Sequence, residues 1–169
     1  MTKFNFLSFF ILAMLLTLDS SNAQTHIKTI HNWSAFQVKS DGARLCYIAS
    51  APTKEKGNYK RRDNTYVLVT HRPNEKKQDI FELRAGYTYK KNSNVWINID
   101  GQKFELFTSG GTAWAKTHMI DRALAKAMKR GRIMTATGTS SRGTKTLDTY
   151  SLKGFTAAYN TIGTDCGKK

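Results

Sequence analysis

The sequence predicts a mainly β domain, a sandwich or a barrel, carrying one short amphipathic helix. Three observations point there. Short runs rich in β-branched and aromatic residues recur between turn signals, the spacing of an all-β domain. One pair of runs flanks Asp100-Gly101, a dipeptide suited to the tight type I′ turn of a hairpin. A single stretch, residues 119–128, repeats its apolar side chains at helical spacing instead.

The chain of 169 residues opens with an address. Lys3 supplies a positive start, residues 4–18 form an almost purely apolar run, and Ser21-Asn22-Ala23 offers small residues for a signal peptidase. This predicts a Sec-type signal peptide over residues 1–23, too short and wrongly flanked to be a retained membrane span. No twin-arginine pair precedes the run, and Gln24 rather than Cys follows the cleavage point. The mature chain, residues 24–169, is then expected to be one extracytoplasmic domain of about 145 residues. It holds no domain-sized linker, internal repeat or low-complexity tract.

Strands are expected at 33–38, 45–49, 66–70, 80–89, 95–99, 102–107, 133–138, 147–151 and 156–160. Pairing outward from Asp100-Gly101 sets Ile97 opposite Phe104 and Val95 opposite Leu106 on one apolar face. Trp96, Asn98, Lys103 and Glu105 take the other face. A slip of one residue would turn the apolar set outward, so this register specifies itself.

Residues 50–64 form the one long connection within the domain, with Pro52, Gly57 and Tyr59 set among basic residues. Long loops in compact domains are often functional, which makes this the first choice for a contact surface. In the helical stretch, Met119, Ile120, Ala123, Leu124, Ala127 and Met128 make an apolar face, and Gly131 stands where a C-terminal cap is wanted. Met119 and Met128 are expected in the core. Arg122, Lys126, Lys129 and Arg130 lie opposite, the ordinary charged outer face of a surface helix. Lys129 and Arg130 also complement the helix dipole at its C-terminal end.

The pair Cys46 and Cys166 is most simply a disulfide in an oxidising compartment. Two buried thiols are the alternative, and neither cysteine has the paired spacing of a zinc site. The four histidines, His26, His31, His71 and His118, are scattered, and no metal or cofactor is expected. Residues 138–145 (GTSSRGTK) narrowly miss a P-loop, with Thr144 where the phosphate-binding Lys would stand, and do not match a nucleophile elbow. Their glycines suit a tight turn with positive φ. Asn32-Trp33-Ser34 fits a glycosylation sequon that matters only in a host with the transferase.

Lys and Arg exceed Asp and Glu by 15, and Lys3 and Asp19 of the signal cancel, so the mature part carries the whole excess. Such a surface accumulates polyanions. Lys54, Lys56, Lys60, Arg61 and Arg62, with Lys126, Lys129 and Arg130, are the candidate contacts for an anionic lipid, an envelope or host-surface polymer, or an envelope protein. Nucleic acid is not expected for an exported chain. A solvated surface without a dedicated ligand is the bland alternative. A membrane β-barrel is disfavoured by the cysteine pair, the internal helix, the charged strands and the Lys168-Lys169 ending.

Together these pieces resemble the invasion-associated locus B family of α-proteobacteria. Leu45-Cys46-Tyr47, the run 66–70, Asp100-Gly101, Ala113-Trp114 and the helix end from Ala127-Met128 to Gly131 match in order. The C-terminal third matches most specifically, through residues 138–144, 148–152, Gly154-Phe155 and Asp165-Cys166. The resemblance implies an immunoglobulin-like antiparallel β-sandwich with one short amphipathic helix at about 118–130. It implies an exported protein, periplasmic, outer-membrane-associated or secreted, without known catalysis, and linked to host-cell invasion in pathogens. The family's two cysteines correspond in position to Cys46 and Cys166. The expected function is non-enzymatic binding in the envelope; a structural or stress-related periplasmic factor and an unrecognised hydrolase stay open as alternatives.

Overall fold

The computed structural model describes residues 23–40 and 43–166, so the expected signal peptide, except for Ala23, lies outside the described residues. The elements run β1 (Ala23–Ile30), β2 (Trp33–Ser40), β3 (Ala43–Ser50), β4 (Lys54–Gly57), β5 (Tyr66–Arg72) and β6 (Lys77–Arg84). They continue with β7 (Asn94–Ile99), β8 (Gln102–Ser109), β9 (Thr112–Ala115), α1 (His118–Arg130), β10 (Ile133–Thr139), β11 (Lys145–Ser151) and α2 (Phe155–Asp165). All strands join one antiparallel series in the order β1-β2-β3-β5-β6-β9-β8-β7-β10-β11-β4.

The fold is the expected mainly β sandwich, because this series turns its apolar face inward on both halves. Trp33, Ile48, Val67, Phe81 and Leu83 come from one half, and Val95, Ile97, Leu106, Met134 and Tyr150 from the other; all join one buried cluster. The Trp33 indole N–H reaches across to the Ser151 carbonyl at 3.0 Å, fixing one half against the other. The hairpin adopts the expected register, Ile97 opposite Phe104 and Val95 opposite Leu106, with Asp100 and Gly101 both at positive φ (46° and 100°). Alternation of apolar and polar residues is the direct cause, since successive side chains point to opposite sheet faces.

Helix α1 covers the span the sequence predicts. Thr117 caps it by accepting the Ile120 N–H, and Lys129 and Arg130 occupy its last turn. Its buried face, however, centres on Leu124, Ala125 and Met128, and Asp121 joins that face by accepting the Phe81 backbone N–H at 2.9 Å. Met119 stands two residues before Asp121, roughly half a turn round, and is 71% exposed rather than in the core. Gly131 ends the helix in extended backbone, not in the left-handed turn. Its glycine is needed for closeness: a Cβ there would lie 2.5 Å from Ile99 Cγ2 and 2.9 Å from Leu152 Cδ1.

Four strands and one helix depart from the expectation. Residues 156–160 are not a strand but part of α2, whose Phe155, Ala158, Tyr159 and Ile162 recur at helical spacing and are all buried. Gly154 starts α2 at φ 94°, where a Cβ would come 2.1 Å from the Ile30 carbonyl oxygen. The run at 80–89 ends early, at Arg84, because Gly86 (φ 69°) passes so near Asp63 that a Cβ would sit 2.0 Å from its carbonyl oxygen. Strands β1, β4 and β9 were not expected; β4 lies inside the segment read as a long connection.

Cys46 of β3 and Cys166 at the end of α2 form the expected disulfide, with their Cα atoms 5.8 Å apart. A second tie lies nearby. The buried Asp79 carboxylate accepts the Tyr159 hydroxyl, while the Asp79 N–H donates to His71 Nδ1 at 3.2 Å. Helix α2 is thus fastened to the sheet by a covalent bond and a buried polar contact as well as by apolar packing.

Burial raises the tyrosine pKa at Tyr47, Tyr87, Tyr89, Tyr150 and Tyr159, because the interior disfavours the phenolate. The unfolded chain ionises its tyrosines near about pH 10, so the folded state binds more protons above that pH. Stability is therefore full below about pH 10 and falls as pH rises beyond it. Urea unfolding at stepped alkaline pH, followed by tyrosinate absorbance, should show these phenols ionising together with unfolding. Ionisation of all of them in the folded protein would contradict this.

Candidate anion-binding cleft

Two segments singled out separately in the sequence meet in space. After β4, residues 58–63 run beside the turn between β10 and β11, and residues 86–88 close the space between them. The result is an open cleft of about 560 Å³. The pairing of β11 with β4, Thr146 opposite Gly57 and Asp148 opposite Glu55, is what brings the two segments together.

The turn is built by its own backbone. Ser140 N–H donates to the Thr144 carbonyl at 2.9 Å, and Gly143 N–H to the Ser140 carbonyl at 2.8 Å. Thr144 N–H donates to Ser140 Oγ at 3.1 Å, and Gly143 takes the positive φ (84°) the sequence predicts for a glycine here. Ser141 N–H donates to the Thr88 carbonyl at 2.8 Å, fixing the turn against the third segment.

Arg62 is the keystone beneath the cleft. Its guanidinium donates to both carboxylate oxygens of Asp148, at 2.6 and 2.7 Å, and to the Ala85 carbonyl at 2.6 Å. Glu55 and Thr65 accept from it at 3.3 and 3.4 Å, and the group lies over the rings of Tyr87 and Tyr59. The side chains of Arg62 and Asp148 are only 3% and 4% exposed. Burial works against the guanidinium charge, but the hydrogen bonds and charge of Asp148 more than offset it, and the pKa is raised. Arg62 is thus spent on holding loop, β6 end and β11 together. Its role is structural.

The remaining basic candidates separate into three groups. Lys60 and Arg61 are exposed in the cleft, joined by Arg142, with Ser141 and Thr144 supplying hydroxyls and Asp63 one carboxylate. Lys54 and Lys56 stand on β4, opposite Thr149 and Leu147, along the edge of the sheet. Lys126, Lys129 and Arg130 lie on α1 and do not line the cleft. Lys129 places its ammonium 3.6 Å from the centre of the Tyr159 ring, a cation–π contact on the helix surface. Arg142 was missed as a candidate because residues 138–145 read as a turn, and nothing local marks which turns face a loop about 80 residues away.

The arrangement can hold an anion by charge and hydroxyl hydrogen bonds. Tyr87 is tied by its hydroxyl to Thr146 at 2.6 Å, which fixes the cleft wall. Among the described residues, no group of three or more His, Cys, Asp or Glu side chains is placed to hold a metal ion. Also among them, no helix is long and apolar enough to cross a membrane.

Fold and cleft together define a disulfide-clasped β-sandwich with a cleft lined by basic residues. A family model described as Invasion associated locus B (IalB) protein matches residues 33–163, and the chain belongs to that family. Comparison with the curated proteins and with the solved structures gives no match.

Proposed function

We propose that this is an exported, non-enzymatic envelope protein that binds an anionic ligand in the cleft of Lys60, Arg61 and Arg142. The observation that carries the reading is the convergence of these three exposed cations with hydroxyl groups, over a scaffold fixed by a buried ion pair. A net charge of +15 steers polyanions toward such a site. Export is supported by the apolar N-terminal run and by the disulfide, since such bonds persist in oxidising compartments. The ligand class is a phosphate- or sulfate-bearing surface component, such as a lipopolysaccharide, an acidic polymer or an anionic headgroup. In a pathogen, that chemistry would serve contact with a host cell.

Binding of the oxidised mature protein to lipopolysaccharide, heparin and anionic vesicles should weaken steeply as salt rises from about 0.05 to 0.5 M, because exposed charges are screened. The variant Lys60→Ala, Arg61→Ala, Arg142→Ala should bind at least about tenfold more weakly, each surface cation being worth up to about 1 kcal/mol toward an anionic surface. Arg62 must be left intact in this test. Salt-independent binding would sink the reading.

A second reading has its own observation. The outer face of β2, β3 and β5 presents Phe36, Val38, Leu45, Tyr47 and Leu68, all half-buried, in a shallow groove. Association through that face, as a structural or stress-related factor, would be insensitive to salt.

A further inference from the structure

The other side of the sheet edge carries a second surface. On β7, Trp96 points away from the core and is 48% exposed, whereas Trp33 is fully buried. The register places Thr137, Leu147 and Lys56 beside it in one cross-strand row. With strands about 4.8 Å apart, that row runs about 14 Å from the indole to the basic edge. Lys145 and Asn94 line the same hollow of about 510 Å³. On the other side of Trp96 the register sets Glu105 directly opposite, its carboxylate already paired to Lys116 at 2.7 Å and to the Asn94 amide at 2.6 Å. The surface is therefore a shallow hollow with an exposed aromatic at one end of the row and lysines at the other.

We propose that this face binds the sugar rings of an acidic saccharide, with Trp96 as the stacking platform and Lys56 and Lys145 meeting its sulfate or phosphate groups. The inference rests on the reading of the cleft as an anion site and names the class of its ligand. Cleft and face adjoin: Gly57 borders the face, Asn58 the cleft, and Thr146 lines both. A linear glycan could thus engage both, skirting the Tyr59 ring that packs against Gly57. A bilayer fits this face less well. Interfacial binding buries an apolar face about 5–10 Å deep, and Trp96 is set in a rigid sheet among threonines and lysines rather than on a projecting loop. An indole supplies a broad apolar surface at small entropic cost, which suits the faces of pyranose rings.

The test uses the oxidised mature protein and three probes: a heparin dodecasaccharide, inorganic polyphosphate as a ring-free polyanion, and vesicles of phosphatidylglycerol and phosphatidylcholine. Titration calorimetry and Trp emission are read for the parent, Trp96→Ala and Trp96→Phe. Trp96 is exposed, so both variants should keep the parent's melting temperature. Trp96→Ala should weaken the dodecasaccharide by about tenfold or more, the scale of a buried aromatic anchor, and leave polyphosphate within about twofold. Trp96→Phe should retain most of the saccharide affinity, and the parent's emission should shift with the saccharide. Equal effects on both polyanions would overturn the platform while leaving the cleft intact. An emission shift with vesicles but not with saccharide would overturn it in favour of a membrane face. If the parent binds neither polyanion at low salt, the cleft reading itself falls.

Discussion

Removal of the Cys46–Cys166 bridge is expected to lower stability by about 4–5 kcal/mol, the largest single effect in the molecule. The bond closes a loop of 120 residues, nearly the whole domain, so its loss restores great freedom to the unfolded chain. In a domain of this size that loss corresponds to a fall in Tm of about 10–15 °C. The native state feels it locally as well. Cys166 ends α2, and the helix buries Phe155, Tyr159 and Ile162 against the sheet, so its last turn should fray first. Thermal melts of the oxidised protein and of Cys46→Ala with Cys166→Ala measure this directly. A difference under about 1 kcal/mol would mean that packing and the Tyr159–Asp79 contact suffice without the bond.

Breaking the Arg62–Asp148 pair should cost about 3–5 kcal/mol from either side, because each single change leaves a buried charge uncompensated. Arg62→Met also strands the Ala85 carbonyl and frees the cleft loop, while Asp148→Asn leaves the guanidinium without its bidentate partner. The double variant Arg62→Met, Asp148→Leu should recover part of the loss, since buried ion pairs are often replaceable by apolar groups of similar size. Urea unfolding of the two singles and the double closes the cycle. Additive losses would show that the two side chains do not act as a unit. For the proposed cleft this means that Arg62 variants would lose binding through the scaffold, so within the cleft Lys60, Arg61 and Arg142 are the residues to test for ligand contact.

The parts of the fold that local pattern determines were legible. The Asp100-Gly101 hairpin needs only its alternation and its turn, and α1 only its period and its Thr117 cap. Helix α2 was misread because residues 156–160 are too short a window to separate the two periods; the repeat declares itself only when Phe155 and Ile162 are included. Strands β1 and β4 lie at the two ends of the sheet, where one side goes unpaired and polar side chains suffice, so Lys-Glu-Lys-Gly carries no apolar signature. The Gly110-Gly111 dipeptide before β9 is a hairpin signal of the same local kind.

The cleft was legible only in pieces. Residues 50–64 stand out by length and charge, and residues 138–145 by their glycines. Their meeting depends on β4 joining β11, a pairing across about 90 residues that no local feature announces. The same distance hides Arg62. It stands beside Lys60 and Arg61 with identical charge, and only Asp148, 86 residues on, converts it from surface cation to buried strut. Sorting the basic residues therefore required the topology.

The measurement that bears most directly on the cleft compares two variants of equal charge by calorimetry with heparin at low salt. One carries Lys60→Ala, Arg61→Ala and Arg142→Ala; the other carries Arg122→Ala, Lys126→Ala and Arg130→Ala on the exposed face of α1. A dedicated site predicts a loss of about tenfold or more in the first and little change in the second. Equal losses would show that binding follows net charge alone and that the cleft is not a site.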